Sequence, residues 1–121
     1  MTTLIAMLSV GKGTWAEVIR LINSEDWEKV LLITNDFGRD KFSSPKAEQT
    51  ELLVVDSRKP ERDLCKDMKA QLEGKINGAE VALNLTSGTG KEHMALIQAV
   101  LNLGFGLRLV TVENDQMVVI E

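Results

Sequence analysis

The sequence predicts a doubly wound α/β fold: a Rossmann-like, mainly parallel six-stranded sheet in the order 3-2-1-4-5-6, its last strand antiparallel, with helices on both faces. Three observations predict it. Short β-rich apolar runs alternate with segments of helical periodicity along the chain. Right-handed crossovers then place the helices on both faces of a parallel sheet. The last two apolar runs are separated by only a short polar turn, which suits an antiparallel hairpin. With 121 residues, 44% of them hydrophobic and 26% charged, the chain has room for one core, so a single domain over residues 1–121 is expected.

Thr3 to Ser9 is the first strand candidate, followed by Val10-Gly11-Lys12-Gly13-Thr14. Trp15 to Leu21 then opens a helix with Trp15, Val18, Ile19 and Ile22 on one face. Val30 to Thr34 is a β run ending in Asn35-Asp36, and Glu51 to Asp56 is another apolar run ending in a carboxylate. Between them, Phe37 to Gln49 holds Gly38, Pro45 and many polar residues, so a loop or one or two helical turns are expected. Pro60 suits the first turn of a helix running to about Leu72, with Leu64, Met68 and Leu72 at i, i+4 and i+8, closed by Gly74, Asn77 and Gly78. Ala79 to Leu85 reads as a buried strand; Thr86-Ser87-Gly88-Thr89-Gly90-Lys91 leads from it into a helix where Met94, Ala95, Ile97, Leu101 and Leu103 recur at helical spacing. Gly104 and Gly106 close that helix. Leu107 to Val112 and Met117 to Ile120 are the last two strands, flanking Glu113-Asn114-Asp115-Gln116.

Composition excludes several classes. No apolar run approaches the ~20 residues of a membrane span, and the N-terminus lacks the layout of a signal peptide, so a cytoplasmic protein without membrane contact is expected. A single cysteine, Cys65, and a single histidine leave no internal disulfide and no basis for a metal site. On a predicted helix, Cys65 reads as a packed small hydrophobe rather than a nucleophile. A net charge of −4 argues against a protein that binds duplex nucleic acid through a broad basic face. The Arg58/Lys59/Glu61/Arg62 and Lys66/Asp67/Lys69 clusters mix signs and read as a solvated helix face.

In the expected sheet, winding reverses between strands 1 and 4, and ligands bind outside the carboxyl ends of the strands at that point. The turns Ser9 to Thr14 and Thr86 to Lys91 meet there, each with glycines, hydroxyls and a lysine. Backbone N–H groups at the start of the helix after Thr89 carry the positive end of its dipole, which suits phosphate. The ligand-binding candidates are Gly11, Lys12, Gly13 and Thr14 in the first turn, Thr86, Ser87, Gly88, Thr89 and Gly90 in the second, and Asn35 at the end of the second strand. The turn at Thr86 to Lys91 is not a P-loop, which needs Gly-x4-Gly-Lys-Ser/Thr, because position 85 is Leu and position 92 is Glu. A nicotinamide-binding turn at Val10 to Trp15 stays open, with Ala16 in the third glycine's place and Asp36 after the second strand, but the domain has no room for a substrate half. The remaining alternative is that the glycines only permit tight strand-to-helix corners.

The run Asn84-Leu85-Thr86-Ser87-Gly88-Thr89-Gly90-Lys91-Glu92-His93-Met94-Ala95 resembles the strand-4 motif of CARF domains, the CRISPR-associated Rossmann-fold sensors, whose pattern is close to Asn-x-Thr-Gly-Gly-Thr-Lys-x-Met. Ser9 to Thr14 falls where that family has its strand-1 motif. The resemblance extends over the strand order and most of the chain, but its sequence-specific part is about a dozen residues. This chain departs from the pattern in two places: Ser87 stands for the first glycine, and Gly90 is an added residue before Lys91. The resemblance implies a homodimer that binds cyclic oligoadenylate, the second messenger of type III CRISPR defence, with no cofactor. For a domain with no effector part after the sixth strand it implies a ring nuclease that degrades the messenger, or a non-catalytic sensor acting with a separate partner.

The chemistry of such a substrate supplies candidate roles. A 3′,5′-linked oligoadenylate carries its own nucleophile, the ribose 2′-OH, so a protein has to orient the sugar and stabilise charge on the phosphorane. Lys91 and the N–H groups of Gly88 to Lys91 suit that charge; Ser9, Lys12 and Thr14 suit the neighbouring phosphate or ribose. His93 is either a general base or acid, or a solvated or capping side chain. The catalytic candidates are thus Lys91, Ser9 and His93. Few aromatic residues offer a surface for adenine. Trp15 either stacks on a base or belongs to the core, and Phe37 and Phe42, with Arg39 and Lys41, form either a mobile lid or an ordinary surface loop.

Overall fold

A computed structural model of the protein describes residues 2–9 and 12–121, the side chain of Lys12 excepted. Six strands form one sheet: β1 (Thr3–Leu8), β2 (Lys29–Thr34), β3 (Thr50–Val54), β4 (Glu80–Asn84), β5 (Gly106–Glu113) and β6 (Gln116–Val119). Their order is β3-β2-β1-β4-β5-β6, as the sequence predicts. All neighbours pair in parallel except β5 and β6, which are antiparallel. The helices are α1 (Trp15–Ser24), α2 (Asp36–Lys41), α3 (Glu61–Leu72) and α4 (Gly90–Asn102), with single 3-10 turns at Lys12–Thr14 and Ala47–Gln49. No helix among the described residues is long and apolar enough to cross a membrane.

Strand β1 is buried at every position because it has helices on both sides. Its side chains alternate between two cores. Leu4, Ala6 and Leu8 pack with Trp15, Val18, Leu21 and Ile22 of α1. Ile5 and Met7 pack with Leu64, Met68 and Leu72 of α3 and with Ala95, Leu96, Ala99 and Val100 of α4. The continuous apolar runs of β1 and β2 are what a parallel strand covered on both faces requires. Cys65 is half-buried against the α3–α4 core, as a packed small side chain.

Three expectations change. The apolar face of α4 is formed by Ala95, Leu96, Ala99 and Val100, whereas Met94 and Leu101 are exposed, 62% and 49%. The cap at Thr89 fixes the rotational phase of the helix, and the small Ala95 and Ala99 let it approach the sheet. Phe42 is not part of a lid. It is 7% exposed, and its ring meets Trp15 edge-on at 5.5 Å, while its N–H closes α2 on the Gly38 carbonyl at 2.9 Å. Trp15 itself belongs to the core, at 9% exposed. The last turn is shorter than expected, since Glu113 pairs with Gln116 and only Asn114 and Asp115 form the loop. Both have positive φ, 52° and 60°, the geometry of a type I′ hairpin turn.

Candidate functional site at the carboxyl edge of the sheet

The carboxyl ends of β1 and β4 lie side by side, and a hydrogen bond joins the turns that follow them. Ala6 is in register with Asn84, so β1 continues past the end of β4 through Met7 and Leu8. The turn after β4 folds down against this extension. Ser87, 1% exposed, accepts the Ser9 N–H through its Oγ at 2.8 Å. The Ser9 carbonyl in turn accepts the indole N–H of Trp15 at 2.6 Å. Two segments 78 residues apart thus form one floor.

Buried Asn84 starts the second turn. Its Nδ2 donates to the Val110 carbonyl at 2.9 Å and to Thr86 Oγ1 at 3.1 Å, and its Oδ1 accepts the Thr86 N–H at 3.3 Å. One amide therefore ties β4 to β5 and fixes the exit of the chain. Gly88 then adopts φ +103°, and a Cβ there would lie 3.3 Å from Met7 Cβ and 3.0 Å from His93 Nε2. Close approach to β1 and the left-handed backbone both require glycine.

Thr89 and Glu92 form a capping box at the start of α4. The Thr89 N–H donates to Glu92 Oε1 at 2.8 Å, and the Glu92 N–H donates to Thr89 Oγ1 at 3.3 Å. Glu92 is 5% exposed, so the turn has a buried acidic side chain beneath it. One expectation about the turn is thereby corrected: the Thr89 N–H is taken by the cap. The Gly88, Gly90 and Lys91 N–H groups are the remaining candidates for an anion, together with the half-buried Lys91 side chain, which makes no ion pair among the described residues.

His93 is half-buried and bonds within the turn. Its Nε2 lies 2.7 Å from the Ser87 carbonyl. A carbonyl can only accept, so Nε2 donates its N–H, and among the described residues Nδ1 makes no hydrogen bond. The imidazole therefore braces the turn across Gly88.

The structure brings Ser9, Thr86, Ser87, Gly88, Thr89, Gly90, Lys91 and His93 together at the two turns. Gly13 and Thr14 lie in the 3-10 turn that leads into α1. Gly11 and the side chain of Lys12 lie outside the described residues. Asn35 sits apart from the turns, at the end of β2, where its Oδ1 accepts the Gly38 N–H at 2.9 Å and caps α2. Gly38 has to be glycine here because a Cβ would overlap Thr34 Oγ1. That hydroxyl donates to the Leu8 carbonyl at 2.8 Å, linking the ends of β1 and β2.

A cleft lies away from the paired turns. It has a volume of about 750 Å³ and opens outside the ends of β2 and β3, between α2 and α3. Asn35 and Phe37 line one side, and Asp56, Ser57, Arg58 and Gln71 line the other. Sequence reasoning missed this place, since Arg58, Lys59 and Asp67 read as a solvated face. The available signal was the carboxylate that ends the ELLVVD run at the ligand-bearing edge of the sheet. Arg58 holds Asp56 at 2.9 Å and 3.2 Å through two guanidinium nitrogens. Hydrogen bonds from the Arg58 side chain and backbone lower the Asp56 pKa to about 2. Lys59 donates to Asp67 at 2.7 Å, and that contact raises the lysine's pKa.

No protein-family model matches the sequence, and no curated protein matches it.

Proposed function

We propose that the protein binds a cyclic oligoadenylate in the cytoplasm, as a CARF-like domain, and cleaves it as a metal-independent ring nuclease. The observation that carries this reading is the 2.8 Å bond from the Ser9 N–H to Ser87 Oγ, which makes one site of the two turns. Two turns on adjacent parallel strands, both at the switch in winding, suit a ligand with more than one phosphate. In the reaction the ribose 2′-O attacks the adjacent phosphorus in line while its proton passes to solvent and the departing O5′ takes one from solvent. The P–O5′ bond breaks, leaving a 5′-hydroxyl and a 2′,3′-cyclic phosphate. Lys91 and the N–H groups of Gly88 and Gly90 face the charge that develops on the phosphorane, where fixed donors lower the barrier most. His93 shapes the turn and keeps only Nδ1 for proton transfer.

The second reading is a sensor that binds without cleaving. Glu92 favours it: a buried acid that already uses the Thr89 N–H and hydroxyl leaves the turn fewer donors for a phosphorane than for ground-state phosphate contact. Incubation with cyclic tetra- and hexa-adenylate in EDTA, followed by separation of products, tests both. Linear products support the nuclease, and tight binding without products supports the sensor. Absence of binding and of cleavage overturns both, together with the family resemblance. If Lys91 stabilises the phosphorane, Lys91→Ala lowers the cleavage rate by roughly 100- to 1000-fold, and an unchanged rate removes it from the mechanism. The homodimer belongs to the same proposal and is tested by sedimentation; a species of 13.4 kDa at working concentration counts against it.

A further inference from the structure

We propose that a second copy of this chain covers the face shared by α4 and the β5–β6 hairpin, the outer ridge of α4 in one protomer seating in the groove beside β5 and β6 in the other. The inference gives the homodimer of the proposed function a surface, but it stands on the shape and chemistry of that face and needs no ligand.

The hairpin is packed on one side only. There, Val112, Met117 and Val119 lie against the α1 core. Register puts the alternate residues on the opposite face: Leu107 and Leu109 lie level with Val81 and Leu83, Thr111 lies level with Val118, and the Ile120 N–H bonds the Leu109 carbonyl at 2.8 Å. Leu107 and Leu109 reach the α4 core, but Val118 and Ile120 belong to neither core, and Ile120 is exposed. Apolar side chains are thus left outside both layers of helices.

Helix α4 extends the same surface. Ala95, Leu96, Ala99 and Val100 face the sheet, which turns Met94 and Leu101 outward as an exposed ridge. Asn102 Nδ2 lies 4.0 Å from Cys65 Sγ of α3, so α3 occupies that flank. Half-buried Ile97 lies about 140° round the helix from Asn102, on the flank towards β5. Beside the ridge runs a groove of about 220 Å³, lined by Leu85, Thr86, Leu109, Thr111 and Ile120.

Shape, charge and area each fit a second copy. Ridge and groove lie on one face, so a two-fold axis sets each ridge opposite the partner's groove, the self-complementarity that an isologous contact needs. No charged residue stands among the side chains of the ridge and the groove. Arg108 of β5 points to the opposite face, where it pairs with Glu80 at 2.8 Å, and Glu113 stands at the rim beside the turn. A chain of net charge −4 meets its own copy there with least repulsion, while a charged partner would find nothing to pair with. The ridge measures about 20 by 10 Å and the hairpin face about as much. Together they make a footprint of about 400 Å², of the order of the roughly 800 Å² of accessible surface that a stable dimer buries on each partner once side-chain relief is included.

Sedimentation of the full chain tests the proposal. The parent should be a dimer, and Met94→Lys, Leu101→Lys or Ile120→Glu should each raise the dimer dissociation constant by about tenfold or more, because each buries a charge without a partner. Arg62→Glu, on the exposed face of α3, should leave it unchanged. Mixing Ile120→Glu with Met94→Lys or with Leu101→Lys should restore a dimer, since one ridge lysine then meets the groove glutamate and the other ridge and groove are native. Rescue also shows that the variants are folded. A dimer that survives all three substitutions overturns this face and keeps the homodimer, and failure of both mixtures overturns the seating of ridge in groove. A monomeric parent that binds cyclic oligoadenylate overturns the inference and keeps the ligand. A parent dimer that the three substitutions weaken, with no binding of cyclic oligoadenylate, supports the face and rejects the ligand.

Discussion

At Gly88, backbone conformation and packing make the same demand. A side chain there would be strained at φ +103° and would also press on Met7, Glu92 and His93. Gly88→Ala should lower stability by about 1–3 kcal/mol, read as a lower urea midpoint at unchanged m-value. A midpoint equal to the parent's would show that the turn relaxes freely. Asp56 makes a different prediction. Arg58 holds its carboxyl at about 2, below the ordinary 3.8, so its contribution to stability is present above the ordinary value and is lost as pH falls through 2. The side chains are largely exposed, so the effect on stability is small and the direct measurement is an NMR titration. Arg58→Ala removes the guanidinium but keeps the backbone N–H, so it should raise the midpoint part of the way from 2 towards 3.8; a midpoint still near 2 would refute the side-chain pairing. The Gly88 turn was visible in the sequence as a glycine between hydroxyls. The brace from His93 to the Ser87 carbonyl was not, because a bond to a backbone carbonyl leaves no mark on residue type.

Among the elements, α4 and the final hairpin are set by local chemistry. The capping box of Thr89 and Glu92 starts α4, and Thr89→Ala should cost about 1 kcal/mol and loosen the turn that precedes the helix. Hydrogen exchange at the Glu92 and His93 amides should rise in that variant, and unchanged protection would argue that packing alone holds the helix start. In the hairpin, Asp115 sits at φ 60° without being glycine. Asp115→Gly gives the Asn-Gly pair that a type I′ turn prefers and should raise stability by roughly 0.5–1 kcal/mol, while a lower thermal midpoint would contradict the turn assignment. Element positions were largely legible, since β1, β2, α1 and α3 follow apolar runs and helical spacing. The buried face of α4 was not, because Met94 and Leu101 satisfy the same periodicity as the alanines that the sheet selects.

For the whole molecule, the two cores share β1, β2 and β4, so neither layer of helices can leave the sheet without exposing the face beneath it. Both tryptophans lie in the α1 layer, whereas far-UV circular dichroism reports all the helices. The two signals should give coincident urea transitions, and separated midpoints would show that the layers unfold independently. The sheet order also places the carboxyl ends of β3, β2, β1 and β4 in one row. Along that row lie the cleft, at the ends of β2 and β3, and the paired turns, at the ends of β1 and β4.

The sequence by itself determined the alternation of elements, the strand order with its antiparallel last strand, and the two glycine turns, because each depends on short-range periodicity and on the handedness of the chain. Tertiary structure alone decided which groups in those turns are available. Ser87 is spent on Ser9 through a contact that exists only once β1 and β4 lie together, while the Thr89 N–H is spent on Glu92 and His93 Nε2 on the Ser87 carbonyl within the folded turn itself. It also decided that Phe42 is core and that Arg58 and Asp67 rim a cleft, because burial depends on which elements cover a segment and not on the segment's own composition.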